Sequence, residues 1–537
     1  MIKLTRVGNN IFYEYDKQIE QIAIEHALTI KHDNPYFVES YRKGHWDGLI
    51  RFYDKKNESF PFGMIETVVT DLDNAEYQYQ IDGVFDVPFI PSSPFKPGDK
   101  YQGTTLYQHQ VEALQSFYEI KHGIIKVSTR GGKTFIASEA IRQILIDNKD
   151  FKILFLVESE LLFEQAIDDI SAYLKIPKSN FGRIKGEKFE VKQITVAMIQ
   201  TITNIENYKK RLFEKYKKLL STLNDNTAIT AALKAKKQEN KEKIALNHKL
   251  EAYFDSINFL IVDECHEFMN EHRVDVIKKI QKVDCVFNLF LSATPFKSEN
   301  AIGNLNLQKV SGPIIYTIEE KVLKERGVLA SDKILLFMFN HDDNKNIDVN
   351  DESSYGDYQR EVITHNERRN TVLTNVIEIL RKLKLKTLVL FIYKKHAFHI
   401  QSITGDQFLC SDDKLAVRRS TIKAYLKRKG DVLFASGIFK KGLTLPEVQV
   451  LFNAGGGLEQ SEVTQKKGRV LGVKGTKTKA LIMDFVDVSK YFNVHSLSRI
   501  DAYEKSVANP EDIVVFNVED ADFYRDVREF VKEWFEI

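Results

Sequence analysis

The sequence predicts an α/β protein: two successive domains, each a mostly parallel sheet covered by helices, behind a small α+β domain and ahead of a short helical tail. Three observations carry this. Short apolar runs alternate with longer amphipathic stretches from about residue 104 onward, and the alternation begins again after about Leu329. A stretch punctuated by proline and glycine, Val87 to Gly103, sets off the residues before it as a linker would. At 537 residues the chain is also too long for a single core.

The elements follow in order. Residues 1–98 form the front domain, rich in aromatics with alternating segments such as Leu49 to Tyr53. The first large domain, 99–325, pairs the run Ile124 to Val127 with a helix over Thr134 to Ile146, and Ile153 to Val157 with a helix over Leu161 to Leu174. Ile194 to Ile199, Phe259 to Val262 and Val286 to Leu291 supply further strands. The second, 326–500, has Leu388 to Ile392, Val432 to Ala435, Val448 to Phe452 and Ala480 to Phe485. Residues 501–537 are the helical tail. Asn340 to Tyr358 is polar and reads as a surface loop. One lysine-rich segment, Tyr208 to Leu250, interrupts the first large domain. It lacks proline and glycine, so a helical hairpin is expected, with Leu212, Tyr216 and Leu219 spaced along it. It is either a solvated decoration or a basic arm that touches phosphates.

Composition narrows the function classes. A hydrophobic fraction of 43% and a charged fraction of 28% belong to a globular protein. With 77 basic against 75 acidic side chains, any nucleic acid must be held by local basic patches. Cys265, Cys285 and Cys410 form no CxxC pair, which argues against a disulfide scaffold or a zinc site. The N-terminal stretch has no apolar core of signal length, and no run is long enough to span a membrane. The expectation is a soluble cytoplasmic protein that uses no membrane.

The strongest chemical signal is Ser128-Thr129-Arg130-Gly131-Gly132-Lys133-Thr134, set between a strand-like run and a helix-like stretch. Small residues let successive N–H groups turn toward phosphate oxygens, and the following helix adds its positive end. Lys133 would reach the β- and γ-phosphates of ATP, and Thr134 would offer its hydroxyl to Mg²⁺. Val127 stands where such a loop usually has its first glycine. The second signal is Asp263-Glu264-Cys265-His266, closing the run Phe259 to Val262. Adjacent carboxylates at a strand's carboxyl end lie where open α/β sheets bind ligands. Asp263 would hold the metal, Glu264 would orient and deprotonate water, and His266 would sense the nucleotide and contact the neighbouring strand ends.

A GKT loop, a DECH box and Ser292-Ala293-Thr294, in that order, resemble motifs I, II and III of superfamily 2 helicases. The resemblance extends from about residue 104 to 488. Gln110 resembles the glutamine that reads adenine, without the usual arginine-proline before it. Val157-Glu158-Ser159 with Gln165 resembles motif Ia, and Gln200-Thr201 the next nucleic-acid contact. Gly442-Leu443-Thr444 resembles motif V, and Gln465-Lys466-Lys467-Gly468-Arg469 resembles motif VI. The resemblance implies RecA-like folds for both large domains, with Arg469 as a finger on the γ-phosphate and Gln465 beside it. Gln200, Thr201 and Thr444 would hold the sugar-phosphate backbone. Gly472 stands where motif VI usually has a second arginine, with Lys474 as a possible substitute.

In the front domain, Tyr41 to Gly48, Arg51 and Phe60-Pro61-Phe62-Gly63 interleave basic and aromatic residues around glycine turns. Arg42, Lys43, Trp46 and Arg51 would grip and stack on DNA, or the cluster is simply an aromatic core. The W-D-G-x-I/L-R stretch and the later P-F-G are similar to the small N-terminal domain of phage recombination helicases. That resemblance implies ATP-driven work on branched DNA (forks, Holliday junctions, displacement loops) by a monomer, with single-stranded or duplex DNA and a phage single-strand binding protein as partners. An RNA helicase, a restriction motor subunit and an ATP-switched clamp with weak hydrolysis stay open beside it.

Overall fold

The computed structural model describes residues 1–83, 88–101, 104–207, 241, 243–281, 285–297, 300–341, 359–410, 412–428, 430–436, 445, 447–456, 467–468, 470–473, 477–489, 492–507 and 509–537. Most of the lysine-rich segment, the polar loop of residues 342–358, Thr444, Gln465, Arg469 and Lys474 lie outside them. The chain forms two compact units, residues 1–127 with 132–317, and residues 128–131 with 318–537.

The first unit opens on β1 (Ile2–Val7) and β2 (Asn10–Glu14), followed by a small hairpin of β3 (Thr29–Lys31) and β4 (Leu49–Arg51). With β5 (Ser59–Pro61) and β6 (Tyr79–Asp82) the front sheet has the order β5-β2-β1-β6. Alternation fixes its buried face: Ile2 and Leu4 on β1, with Ile11 and Tyr13 on β2, pack against Ile24, Leu28, Val68 and Leu72 of two helices. The expected linker carries the short hairpin β7 (Lys100–Tyr101) and β8 (Thr104–Thr105). It is strapped down. Phe89 lies against the rings of Tyr118 and Phe287, and its N–H donates to the Tyr118 carbonyl.

The eight strands that follow are β9 (His122–Val127), β10 (Ile153–Val157), β11 (Phe181–Lys185), β12 (Lys188–Glu190), β13 (Ile194–Met198), β14 (Phe259–Asp263), β15 (Phe287–Ser292) and β16 (Ile314–Ile318). They form one sheet in the order β12-β11-β13-β10-β14-β15-β9-β16. Strands β11, β13, β10, β14, β15 and β9 are mutually parallel, and both faces are covered. On β14, Leu260 and Val262 join one core with Ile277, Leu307 and Phe254, whereas Phe259 stacks on Phe117 on the other face. Residues 243–254, the end of the lysine-rich segment, are helical, and Leu250, Tyr253 and Phe254 are buried in that core.

The second unit is a seven-stranded, fully parallel sheet of order β19-β20-β18-β21-β22-β17-β23. Its strands are β17 (Ser331–Asn340), β18 (Thr387–Phe391), β19 (Gln407–Leu409), β20 (Val432–Ser436), β21 (Val450–Asn453), β22 (Lys479–Val488) and β23 (Ile513–Asn517). Successive residues alternate between two cores: Leu335, Phe337 and Phe339 pack on one face, Ile334 and Leu336 on the other. The tail has a strand as well as helix. The β-branched run Ile513-Val514-Val515 pairs with β17, and the helix Phe523–Phe535 buries Phe523, Val527 and Val531 in the first of these cores.

Candidate active site

The carboxyl ends of β14, β15 and β9 lie side by side, with Asp263 level with Leu291 and Ser292 level with Lys126. The residues expected at 132–134, 263–266 and 292–294 therefore share one sheet edge of the first unit. Val127 ends β9 fully buried, and the chain then leaves the sheet. Two residues of the loop take left-handed backbone, Arg130 (φ 76°) and Gly132 (φ 89°), and the Gly131 N–H donates to the Ser128 carbonyl at 2.9 Å. The left-handed backbone at 132 favours glycine, and a Cβ there would sit 2.1 Å from Gln110 Nε2, so the end of that side chain would have to move. Gln110, 4% exposed in the helix Gln108–Ile120, is thus brought onto the loop. The Tyr107 N–H donates to its Oε1 at 3.0 Å.

The helix Lys133–Asp147 starts directly after Gly132, so its positive end and first-turn N–H groups open toward the loop. Lys133 Nζ donates to Glu264 Oε1 at 2.6 Å. Glu264 itself is left-handed (φ 49°, ψ 54°), which ends β14 and starts the turn Cys265–Phe268, and its N–H donates to Asp263 Oδ1 at 3.0 Å. Such backbone costs a residue with a side chain about 1 kcal/mol, a strain typical of functional sites. Burial, reinforced by Glu264, pushes Asp263 up to about 6. Burial alone would depress Lys133, but Glu264 and Asp263 outweigh it and hold the ammonium charged.

His266 is buried, which lowers its pKa and leaves the ring neutral. Its Nδ1 lies 2.9 Å from Ser292 Oγ, and that oxygen already accepts the Thr294 N–H at 3.1 Å. The histidine of the acidic box is joined in this way to the Ser-Ala-Thr strand end. Arg273 was not legible as a site residue. It reaches Glu158 Oε1 at 3.5 Å and also donates to the Glu267 carbonyl, tying the end of β10 to the acidic turn. No local motif marks it.

Gln200 is exposed at the start of the helix Ile199–Glu206, at the carboxyl end of β13, on the same sheet edge. Thr201 is committed to structure, since its Oγ1 accepts the Gly186 N–H at 3.0 Å.

In the front domain Trp46 is a packing residue. Its Nε1 donates to the Leu49 carbonyl at 2.8 Å, and its ring meets His32 and Tyr41 edge-on. Arg51 pairs with Asp47 at 2.5 Å, which holds that carboxyl down at about 2, and Lys43 pairs with Glu39 at 2.6 Å. Arg42 is exposed and has no ion pair among the described residues. The stretch Phe60 to Gly63 takes the core alternative. Phe60, Phe62 and Met64 are buried, and a Cβ on Gly63 would lie 1.7 Å from the Gln308 carbonyl oxygen of the helix Ala301–Ser311.

Comparison with known proteins finds helicases and a restriction-enzyme family. Residues 103–297 match the family model for the type III restriction enzyme, res subunit. The ATP-dependent DNA helicase uvsW of Enterobacteria phage T4 is 23% identical over 476 residues, which covers 86% of this chain and 85% of that protein. Putative helicase 22 of Sulfolobus islandicus filamentous virus is 23% identical over 420 residues, 74% of this chain and 66% of that one. Among solved structures, S. cerevisiae Dbp5 bound to RNA and ADP BeF3 superposes with a TM-score of 0.50 at 14% identity, over 79% of this chain and 93% of that one, a likeness of fold. No helix among the described residues is long and apolar enough to cross a membrane. With the ordered motifs, two RecA-like sheets and a phosphate loop beside an acidic box, the chain is an ATP-dependent helicase of superfamily 2 that resembles UvsW.

Proposed function

We propose that this helicase translocates on and remodels branched DNA (forks, Holliday junctions and displacement loops) in phage replication, recombination and repair. The observation that carries the reading is the extent of the similarity to a protein named as a DNA helicase. Its 476 residues are a longer stretch than the motifs from Gln110 to Arg469 occupy, so more than the motor is shared.

The residues supply a complete set of roles for ATP. Gln110 reads the base, while Ser128, Thr129, Arg130, Gly131, Gly132 and Lys133 cradle the phosphates. The hydroxyl of Thr134 and the carboxylate of Asp263 are hard oxygen donors of the kind Mg²⁺ takes, and a cation there would relieve the burial that raises Asp263. Bound at these groups, Mg²⁺ supplies positive charge against the phosphates. Lys133 exchanges Glu264 for the β- and γ-phosphates, and the released Glu264 orients and deprotonates water. His266 carries the state of the acidic box to Ser292, and Arg469, with Gln465, stabilises the γ-phosphate. Gln200 and Thr444 hold the backbone, and Arg42, Lys43 and Arg51 belong to the surface that meets a duplex arm. The protein acts as a monomer in the host cytoplasm, beside a phage single-strand binding protein.

A restriction motor is the second reading, favoured by the family matched over residues 103–297. ATPase and strand separation measured on single-stranded, duplex, forked and four-way DNA, with RNA controls, test both. Turnover highest on forks and junctions supports the proposal. Stimulation by RNA equal to that by DNA overturns it, and equal turnover on linear duplex and forks, without strand separation, favours the restriction motor.

A further inference from the structure

Residues 414–428 (KLAVRRSTIKAYLKR) contain six basic side chains and no acidic one, in a chain whose 77 basic and 75 acidic residues otherwise nearly cancel. They form the helix Leu415–Lys427 of the second unit. Its inner face is spent on the core: Tyr425 is buried, and Ile422 and Leu426 pack beside it. Arg419, Lys423 and Lys427 are exposed, four residues apart, in a row about 12 Å long at 1.5 Å per residue. Exposed Lys414 and Arg428 flank the helix at its two ends.

Like charges one turn apart destabilise a helix, and this chain neutralises them elsewhere. Lys43 has Glu39 one turn away, Lys505 has Asp501, Arg525 has Asp522 and Lys532 has Glu529. Arg419, Lys423 and Lys427 have no ion-pair partner among the described residues, and Arg428 only approaches Asp431 at 4.0 Å. An unrelieved row of cations on a helix that is otherwise docked in the core fits a polyanion held from outside. A lipid surface is a poor match, because the apolar face that would enter it is already buried.

We propose that this row docks the phosphate backbone of a duplex arm of the DNA on which the motor works. The surface adds to the nucleic-acid contacts of the helicase motifs, and the proposal rests on the reading of the protein as a DNA motor. Three charges spaced along one helix face bind phosphates irrespective of base sequence, and each contact releases counterions.

The test uses the full chain carrying R419Q, K423Q and K427Q together, since glutamine keeps helix propensity and removes charge. ATPase without DNA should equal the parent rate, and thermal stability should hold or rise. The slope of log binding constant against log salt for duplex DNA should fall by roughly 2–3 units, near 0.9 per lost phosphate contact. Lys423→Arg with Lys427→Arg should keep the parent slope. A triple variant with parent affinity and slope on duplex and forked DNA overturns the proposal, and leaves an acidic protein as the partner of the row. If the parent protein neither binds DNA nor is stimulated by it, the functional reading itself has failed. Parent stimulation by DNA with an unchanged variant removes only the docking row.

Discussion

Lys133 stands between two carboxylates, and its removal has consequences for stability as well as for turnover. Lys133→Met leaves Asp263 and Glu264 facing each other in a largely buried site, which should cost about 1–3 kcal/mol without nucleotide. Adding Glu264→Gln to it should recover much of that loss, because one of the two uncompensated charges is gone. Turnover should fall at least 10²–10³-fold in the single variant and stay lost in the double. Thermal unfolding in the absence of nucleotide and steady-state ATPase separate the two effects. A single variant hydrolysing ATP at the parent rate would show that the site is elsewhere. The groups proposed for the site could be named from the sequence because each belongs to a contiguous motif whose chemistry requires those residue types. Their partnerships could not. Lys133–Glu264, His266–Ser292 and Arg273–Glu158 depend on the spatial order β10-β14-β15-β9, which differs from the order along the chain.

At the level of elements, the strands legible in advance were those followed by an amphipathic helix, such as β10 and β18. β17 escaped because a polar stretch follows it, and β23 because it lies within a tail whose other half is helical. Gly63 shows how a motif with an apparent binding character can be a joint. Gly63→Ala places a Cβ against the Gln308 carbonyl and must push the turn Phe62–Met64 off the helix Ala301–Ser311. Overpacking of this kind costs about 1–3 kcal/mol, and hydrogen exchange should rise in that helix first. In the second unit, Asp487 of β22 accepts from Arg369 Nε at 2.8 Å and Nη2 at 3.1 Å, with His341 Nε2 at 2.9 Å. Burial would raise its pKa, but Arg369 and His341 outweigh it and hold the carboxyl well below its ordinary value. Asp487→Asn should therefore destabilise this unit by about 3–5 kcal/mol at pH 7. Because the folded pKa is depressed, the parent's advantage is complete above the ordinary aspartate value, about 4, and shrinks as pH falls below it. Denaturant unfolding of both proteins at pH 7 and at pH 3 checks the sign. A gap that widened in acid would refute the assignment of charge.

Over the whole molecule, a net charge near zero means that DNA affinity is set by which cations are free, not by how many there are. The front domain illustrates the distinction. Removing residues 1–98 would be a blunt test of its role, since Leu305 of the helix Ala301–Ser311 and Ile120 pack against its core and would be uncovered. Single substitutions are sharper. Arg42 is exposed and without an ion pair among the described residues, whereas Lys43 holds Glu39 and Arg51 holds Asp47. If the front surface grips a duplex arm, Arg42→Gln should flatten the salt dependence of fork binding by about one unit of slope, the loss of one phosphate contact. Lys43→Gln and Arg51→Gln should each change the slope less. Both residues must give up a carboxylate before they can contact DNA, so each contributes less to phosphate contact in the parent than a cation without such a partner. Their salt lines should therefore lie closer to the parent's than that of Arg42→Gln. Equal slopes for all three variants and the parent would mean that the front domain does not touch the arm.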